Sequence, residues 1–325
     1  MPIMVQKYGG TSVADAERIK QVADRVRATR DAGYDLVVVV SAMGETTDRL
    51  ASLASEVTSS PTPREMDMLL TAGERITMAL LAMALHDRGI DAVSYTGSQA
   101  GILTDSSHGE ARITRITGER VKESLAAGKV VIVAGFQGVD PESREVTTLG
   151  RGGSDTTAVA LTASLGGEVC EILTDVRGVF TADPRVVPEA GLIDSIGYQD
   201  MLDLARAGAG VLMPASVEYA MTHDVAVHVR SALGEEPGTV VSSEGSPKDV
   251  VGIGRAIGAT TSVLTIVGSR AHELIDAAVE AVIAADIEVI DSGSRGRGAF
   301  VEVAREHSED TMRSIHDRLI GVRSK

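Results

Sequence analysis

The sequence lacks the residues and runs on which several protein classes depend. One cysteine occurs in 325 residues, which excludes a disulfide framework within the chain, and Cys170 is interpreted as a small buried hydrophobe. No apolar run reaches the ~18 residues that a membrane-spanning helix needs, and the start of the sequence has no charged-then-apolar leader. We therefore expect a cytoplasmic protein without a membrane partner.

The chain also has fewer basic than acidic residues. The chain has 31 Lys and Arg residues against 46 Asp and Glu residues, a formal net charge of -15. This argues against a nucleic-acid partner, so any anionic substrate must be held by locally placed cations. Histidines show no convincing metal-ligand spacing, because His228 alternates with apolar neighbours as on a sheet face. No metal site made by protein side chains is predicted.

What is present is an alternation of short apolar runs and amphipathic segments. It predicts an α/β fold, an α/β/α sandwich around a mainly parallel sheet. The fully apolar run at 35–40 is typical of a strand covered on both faces. Further strands are expected at 3–5, 92–95, 130–134, 169–173 and 225–230, and helices at 15–29, 65–85, 112–127, 198–207 and 216–222.

A glycine-rich loop at 147–157, Thr-Thr-Leu-Gly-Arg-Gly-Gly-Ser-Asp-Thr-Thr, lies between an apolar strand and a small-residue helix. Gly150, Gly152 and Gly153 allow a ligand to approach the backbone, and the first amides of a helix attract anions. Arg151 adds a planar guanidinium suited to a carboxylate or a phosphate. The segment predicts an anion site.

Other polar groups gather where predicted strands end. Lys7, followed by Gly9 and Gly10, stands at the end of the first strand, where open α/β sheets bind ligands and where an ammonium can neutralise phosphate. A second group is Ser41 with Thr47. After a later strand, the segment from Thr174 to Arg185 offers hydroxyl, carboxylate and guanidinium groups suited to the rim of a nucleotide site.

Jointly these segments resemble the aspartokinases of the amino-acid kinase family over residues 1 to about 243. The matching blocks, in the family's order, are Lys7-Tyr-Gly-Gly-Thr-Ser-Val, Val40-Ser-Ala-Met-Gly, Gly73-Glu-Arg, Gly150-Arg-Gly-Gly-Ser-Asp, and Thr174-Asp175 through Asp183-Pro-Arg185. The resemblance implies ATP-dependent phosphorylation of the L-aspartate side-chain carboxylate with Mg²⁺, the first step toward lysine and threonine. It leaves open another amino-acid acceptor, or a degenerate kinase that serves as a regulatory subunit.

The resemblance also implies roles for individual residues. Catalytic roles fall to Lys7, which binds phosphates, and to Asp155, which organises Lys7 or the metal. The remaining residues divide into a set for the amino acid, Ser41, Thr47, Glu74 and Arg151, and a set for the nucleotide, Lys7, Gly9, Gly10, Thr174, Asp175, Phe180 and Arg185.

Two positions depart from the family pattern. Gly210 stands where a lysine near the nucleotide is usual, and Phe180 replaces a usual tyrosine. We expect Arg177 to restore part of the positive charge that is lost at Gly210.

A Gly-, Glu-, Ser- and Pro-rich segment, 234–247, is interpreted as a domain boundary between a catalytic domain, 1–243, and a second domain, 250–325. The second domain's pattern is a strand at 261–267, a helix at 271–284, strands at 287–290 and 299–303, and a helix at 309–319. It resembles a single ferredoxin-like ACT module that lacks its closing strand. We predict that the apolar run 250–257 fills that place, that the module forms a homodimer, and that inhibition by lysine or threonine is weak or absent.

Overall fold

A computed structural model describes residues 1–245 and 248–321. Its strands are β1 Ile3–Tyr8, β2 Asp35–Val40, β3 Ala92–Tyr95, β4 Ile102–Thr104, β5 Ile113–Ile116, β6 Val130–Ala134, β7 Gln137–Val139, β8 Val146–Thr148, β9 Val169–Thr174, β10 Ser195–Gly197, β11 Val227–Ser231, β12 Thr239–Ser242, β13 Gly252–Ile257, β14 Thr261–Val267, β15 Asp291–Arg295 and β16 Gly298–Ala304. Its helices are α1 Ala16–Asp31, α2 Thr46–Val57, α3 Pro63–Leu70, α4 Ala72–His86, α5 Glu119–Ala126, α6 Gly153–Leu165, α7 Tyr198–Arg206, α8 Pro214–His223, α9 Ile275–Ala284 and α10 Ser308–Leu319.

The chain divides into two compact units. The first unit contains Met1–Arg177 and Thr222–Glu236, and the second contains Gly178–Met221 and Pro237–Lys325. This division differs from the sequence boundary near 243, because apolar residues of 178–194, such as Ala182 and Val186, pack in the same cluster as β14 and β16. The assignment of a catalytic domain to 1–243 and of an ACT-like domain to 250–325 stays a prediction. Of the latter range, 322–325 lie outside the described residues.

A parallel sheet organises the first unit, in the order β11-β9-β1-β2-β6-β3. Its strands are rich in valine and isoleucine, which suit a buried pleated surface. Apolar side chains of α1 and α4, including Val22, Val26 and Leu81, pack with Val38 and Ile132 of the sheet. The mixed α/β fold with a mainly parallel sheet is thereby confirmed.

The first unit also contains a smaller mixed sheet, β5-β4-β7-β8, that the sequence patterns did not predict. One of its strands, β5, occupies the start of the expected helix 112–127, so that expectation was wrong over 113–116. Ile113–Ile116 pairs antiparallel with β4, and Gly118, with a φ of 63°, separates this strand from α5. Its β-branched residues favour a strand once β4 supplies the pairing partner.

The expected helix 65–85 is α3 followed by α4, with Thr71 between them. By length and composition Pro63–His86 would suffice to cross a membrane, although 39% of its most apolar window is buried. Core helices of soluble proteins pass the same test, and here Leu81 and Leu85 are buried in the sheet's apolar cluster. The segment carries little weight as a membrane span.

In the second unit an antiparallel sheet has the order β13-β14-β16-β15. Gly252–Ile257 pairs antiparallel with β14, which confirms the prediction that 250–257 joins this sheet. The predicted strand 287–290 is wrong in position, since the strand is Asp291–Arg295. Ile287 is buried in the core instead, and the edge strand consists of polar residues that apolar periodicity does not reveal.

Candidate functional site

Lys7 and Asp155 form an ion pair inside the first unit. Lys7 lies on the central strand β1, opposite Val39 of β2 and Ile172 of β9. Its Nζ atom is 2.5 Å from Oδ1 of Asp155 in the first turn of α6, and both side chains are about nine-tenths buried. A buried ion pair of this length fixes the ammonium in position.

Gly9 and Gly10 continue β1 into a tightly packed turn. The amide of Gly9 donates to the carbonyl of Leu173 (3.1 Å), and the carbonyl of Gly10 accepts from the amide of Gly44 (3.0 Å). A Cβ atom on Gly10 would lie 2.9 Å from the carbonyl oxygen of Ala42, and one on Gly9 would lie 3.5 Å from Nζ of Lys7. Gly10 therefore permits the approach of two loops that follow neighbouring strands.

Ser41 and Thr47 flank the turn after β2. The amide of Ser41 donates to the carbonyl of Tyr8 (3.2 Å), which keeps Ser41 beside the end of β1. Thr47 lies in the first turn of α2, and both side chains are half-buried. One hydroxyl-bearing residue thus precedes and one follows the turn that leaves the sheet next to β1.

Glu74 is a buried carboxyl in the first turn of α4. It is 3% exposed; Oε1 accepts from the amide of Ala42 (3.2 Å), and Oε2 is buried without a hydrogen-bond partner among the described residues. Burial raises its pKa to about 7, against the backbone hydrogen bonds, which lower it. A cationic group would satisfy Oε2 and favour the ionised carboxylate.

Close packing of α4 against the turn after β2 depends on Gly73. A Cβ atom at this position would lie 2.7 Å from the Cβ atom of Ala42. Because no side chain fits, the helix can bring Glu74 to the amide of Ala42. This is the contact that fixes the Glu74 carboxyl.

The loop that carries Arg151 precedes α6. Gly150 and Gly152 have φ angles of 71° and 73°, in the left-handed region that favours glycine. Arg151 between them is exposed, and Gly152 caps α6 without a side-chain hydrogen bond. The amides of Gly153 and Asp155 donate within the loop, to the carbonyls of Gly150 (3.0 Å) and Gly152 (3.0 Å). The exposed Arg151 guanidinium is therefore the main candidate for anion binding in this loop, and the anion site stays a prediction.

Thr174 and Asp175 lie at the end of β9, at the same edge of the sheet as Tyr8 and Val40. The carbonyl of Thr174 accepts from the amide of Ala232 (2.8 Å), and its hydroxyl donates to Oδ1 of Asp175 (3.0 Å). Asp175 is exposed. The parallel register thus collects three strand ends at one edge.

Phe180 and Arg185 belong to the second unit. Phe180 forms an isolated antiparallel bridge with Leu192. Arg185 donates from Nε (3.0 Å) and from a terminal nitrogen (2.9 Å) to the two carboxylate oxygens of Asp183. The Arg185 guanidinium holds the pKa of Asp183 below its usual range, despite partial burial. The Asp-Pro-Arg segment is thus closed on itself by a bidentate pair.

Two features of this region were missed from the sequence. The amide of Ala42 is the partner of Glu74, and a backbone donor leaves no trace in a side-chain pattern. Asp67, buried in α3, joins the Thr148 hydroxyl, the Gly109 amide and the His108 side chain to that helix. Its signal was available, because an acidic residue interrupts the apolar run Met66-Asp67-Met68-Leu69-Leu70.

No cluster of three or more potential metal ligands occurs among residues 1–245 and 248–321. A buried carboxylate, Asp155, lies beside Lys7. This donor set is what Mg²⁺ requires when substrate phosphates and water supply most of its ligands, since Mg²⁺ commonly takes only one or two protein carboxylates. The residues present fit a magnesium ion that arrives with a nucleotide.

Comparison with known proteins places these residues in a family. The model of the amino acid kinase family matches residues 2–231. The aspartokinase of Mycolicibacterium smegmatis is 55% identical over 271 residues, covering 82% of this chain and 64% of that protein. The aspartokinase of Mycobacterium tuberculosis H37Rv is 58% identical over 250 residues, covering 77% and 59%. The chain thus spans about three fifths of the length of these relatives.

Solved structures show the same likeness. Aspartate kinase from Synechocystis superposes with a TM-score of 0.67 at 30% identity, over 97% of this chain and 68% of that one. Aspartokinase III of E. coli, in complex with aspartate and ADP, gives 0.72 at 25% identity, over 98% and 83%. The family model covers more than half of the sequence, and its fold is the one described above. The chain therefore belongs to the amino acid kinase family.

Proposed function

We propose that this protein is an aspartate kinase, which transfers the γ-phosphoryl group of ATP to the side-chain carboxylate of L-aspartate and yields an acyl phosphate and ADP. The observation that carries the proposal is the buried Lys7–Asp155 ion pair at 2.5 Å, in a chain whose aspartokinase relatives are 55–58% identical over this region. The solved E. coli relative is a complex with aspartate and ADP, the acceptor and the nucleotide product of this reaction.

The amino acid is bound by groups of opposite charge. Arg151 pairs with a carboxylate through its planar guanidinium, and Ser41 and Thr47 donate hydroxyl hydrogen bonds. Glu74 receives the ammonium at Oε2, the buried oxygen that has no partner among the described residues. The ammonium also offsets the desolvation of the Glu74 carboxylate, so substrate binding lowers the pKa of this group. An acceptor with both an ammonium and a carboxylate satisfies both Glu74 and Arg151.

Phosphoryl transfer to a carboxylate requires alignment and charge compensation more than proton transfer, because the acceptor is already ionised at neutral pH. The Lys7 ammonium offsets the negative charge of the phosphates while Asp155 holds it in place. Asp155 is thus an organiser of Lys7 rather than a general base. Amides at the start of α6 add partial positive charge.

The nucleotide is held at the edge of the sheet by the backbone of Gly9 and Gly10 and by Thr174 and Asp175. Phe180 and Arg185, in the second unit, stay predicted nucleotide residues from the family resemblance. Mg²⁺, when bound with ATP, neutralises phosphate charge and orients the γ-phosphoryl group. Asp155 is the residue that fits as its protein ligand or as the anchor of its water shell.

We propose that the protein acts in the cytoplasm, in the pathway to lysine and threonine, as a homodimer formed through the sheet that contains β14 and β16. Isolated sheet edges favour pairing with another chain, which supports the dimer. The turn after β14 is Gly268-Ser-Arg-Ala-His, without the Pro-Gly usual where ACT modules receive an amino acid. Because this turn lacks that sequence, we expect weak or absent inhibition by lysine and threonine.

A panel of amino acids with ATP and Mg²⁺ tests the reaction. ADP release and trapping of the acyl phosphate with hydroxylamine are measured for L-aspartate, L-glutamate and other carboxylic amino acids. Aspartate-dependent hydroxamate is expected. Turnover of a different amino acid would change the acceptor, and no turnover with any of them would favour a degenerate kinase with a regulatory role. An Asp155→Asn variant is the control for contaminating kinases.

A further inference from the structure

A buried carboxylate outside the proposed substrate and nucleotide groups joins three segments of the first unit. Asp67, on α3, is 1% exposed. Its Oδ1 atom accepts from the hydroxyl of Thr148 (2.5 Å) and from the amide of Gly109 (3.1 Å), while Oδ2 lies 2.7 Å from Nδ1 of His108. A buried carboxylate is costly unless such partners satisfy it, so this arrangement specifies one relative placement of its segments.

Those segments lead directly to the loop that carries Arg151. Thr148 ends β8, three residues before Arg151, and its carbonyl accepts from the amide of Ala111 (2.8 Å). A Cβ atom on Gly150 would lie 3.3 Å from the carbonyl oxygen of Gly109. The backbone that Asp67 holds is therefore in close contact with the turn that presents the guanidinium.

We propose that Asp67 is a positioning residue for the amino-acid substrate. It fixes the 108–111 segment and the end of β8, and these in turn fix the left-handed turn at Gly150 and the direction in which Arg151 leaves it. A bidentate guanidinium–carboxylate pair tolerates little displacement, so loosening this anchor weakens substrate binding without touching the nucleotide groups. The effect on substrate rests on the proposed function of Arg151, and the effect on the loop does not.

Three variants and one matched control isolate this role. Asp67→Asn keeps the shape but places an NH₂ group against donors. Thr148→Val removes the hydroxyl that donates to Asp67, whereas Thr148→Ser retains it. The control is Thr104→Val, which removes a hydroxyl from the neighbouring buried pair, Thr104 with Thr147 (2.6 Å), in the same small sheet without affecting Asp67.

Kinetics and hydrogen exchange are measured on each full-length protein. Asp67→Asn and Thr148→Val are expected to raise the aspartate KM about tenfold, an effect of the size of one charged hydrogen bond, with the ATP KM within about twofold. Thr148→Ser is expected to return the aspartate KM toward the wild-type value. Amides of Leu149 and Gly153, which donate to Phe136 and Gly150, should exchange at least about tenfold faster in the first two variants and unchanged in Thr104→Val.

The outcomes separate this inference from the function on which it partly rests. Unchanged exchange at Leu149 and Gly153 in Asp67→Asn overturns the inference whatever the kinetics, as does an equal rise of both KM values or an equal effect of Thr104→Val. A wild-type protein without aspartate-dependent turnover, combined with faster exchange in the variants, refutes the proposed function and supports Asp67 as the anchor of the loop.

Discussion

Replacing Glu74 by glutamine is expected to stabilise the folded protein at alkaline pH. Burial raises the pKa of this carboxyl from 4.5 to about 7. The folded state therefore holds the proton more tightly than the unfolded state, and the free energy of unfolding falls as pH rises between these two values. At about 1.4 kcal/mol per pKa unit, the loss reaches about 3 kcal/mol above pH 7. Glutamine does not ionise, so the variant does not lose this stability.

Urea unfolding followed by circular dichroism, at about pH 5 and about pH 8, measures this difference. The variant is expected to gain about 1 to 3 kcal/mol relative to wild type on going from the lower to the higher pH, since the wild type has already lost a small part of this stability at about pH 5. The unpaired amide nitrogen that replaces Oε2 costs the same at both pH values and does not affect this difference. Glu56→Gln, at an exposed position on α2, is the matched control and should show no such change. A stability difference that is the same at both pH values would refute the argument from burial.

The same carboxyl gives the aspartate KM a pH dependence. Ionised Glu74 attracts the substrate ammonium, so KM in the wild type should fall as pH rises through about 7. Glu74→Gln should raise KM and remove this dependence. A wild-type profile that is flat between about pH 6 and about pH 8 would place the ammonium elsewhere.

Three further predictions concern neighbouring groups. Lys7→Met and Asp155→Leu should each lower the unfolding free energy by about 3 to 5 kcal/mol and abolish turnover, because each leaves a buried charge without its partner. The double variant should recover stability but not activity. A double variant whose loss of unfolding free energy equals the sum of the two single losses would contradict the buried pair. Arg151→Lys should raise the aspartate KM by a factor that corresponds to about 1 to 3 kcal/mol of binding free energy, because an ammonium does not reproduce a bidentate contact. An unchanged KM would remove Arg151 from the substrate site. If Arg177 replaces the charge lost at Gly210, Arg177→Ala should weaken ATP binding measured by calorimetry, and Gly210→Lys, where a Cβ atom meets open space, should strengthen it. An ATP affinity that neither substitution changes would refute this role of Arg177.

Much of the fold follows from local sequence. The valine runs at 35–40 and 130–134 appear as parallel strands of the main sheet because β-branched residues in uninterrupted apolar runs suit a sheet covered on both faces. Gly150 and Gly152 indicate left-handed turns, and Lys7 stands at a strand end where such sheets bind ligands. The small sheet and the polar strand β15 could not be predicted in this way, because their partners, rather than their own periodicity, make them strands.

The sequence alone thus determined the residue types of the candidate site and the strand ends from which they come. The pairing of Lys7 with Asp155, 148 residues apart in sequence, agrees with that placement but takes its distance from the packing of α6 on β1. Only the tertiary structure decided that Glu74 is buried against the amide of Ala42, with one oxygen unpaired among the described residues, and that Asp67 accepts from the hydroxyl of Thr148 at the end of β8. Desolvation and hydrogen-bond geometry depend on which segments meet in space, and a local pattern of residues does not contain that information.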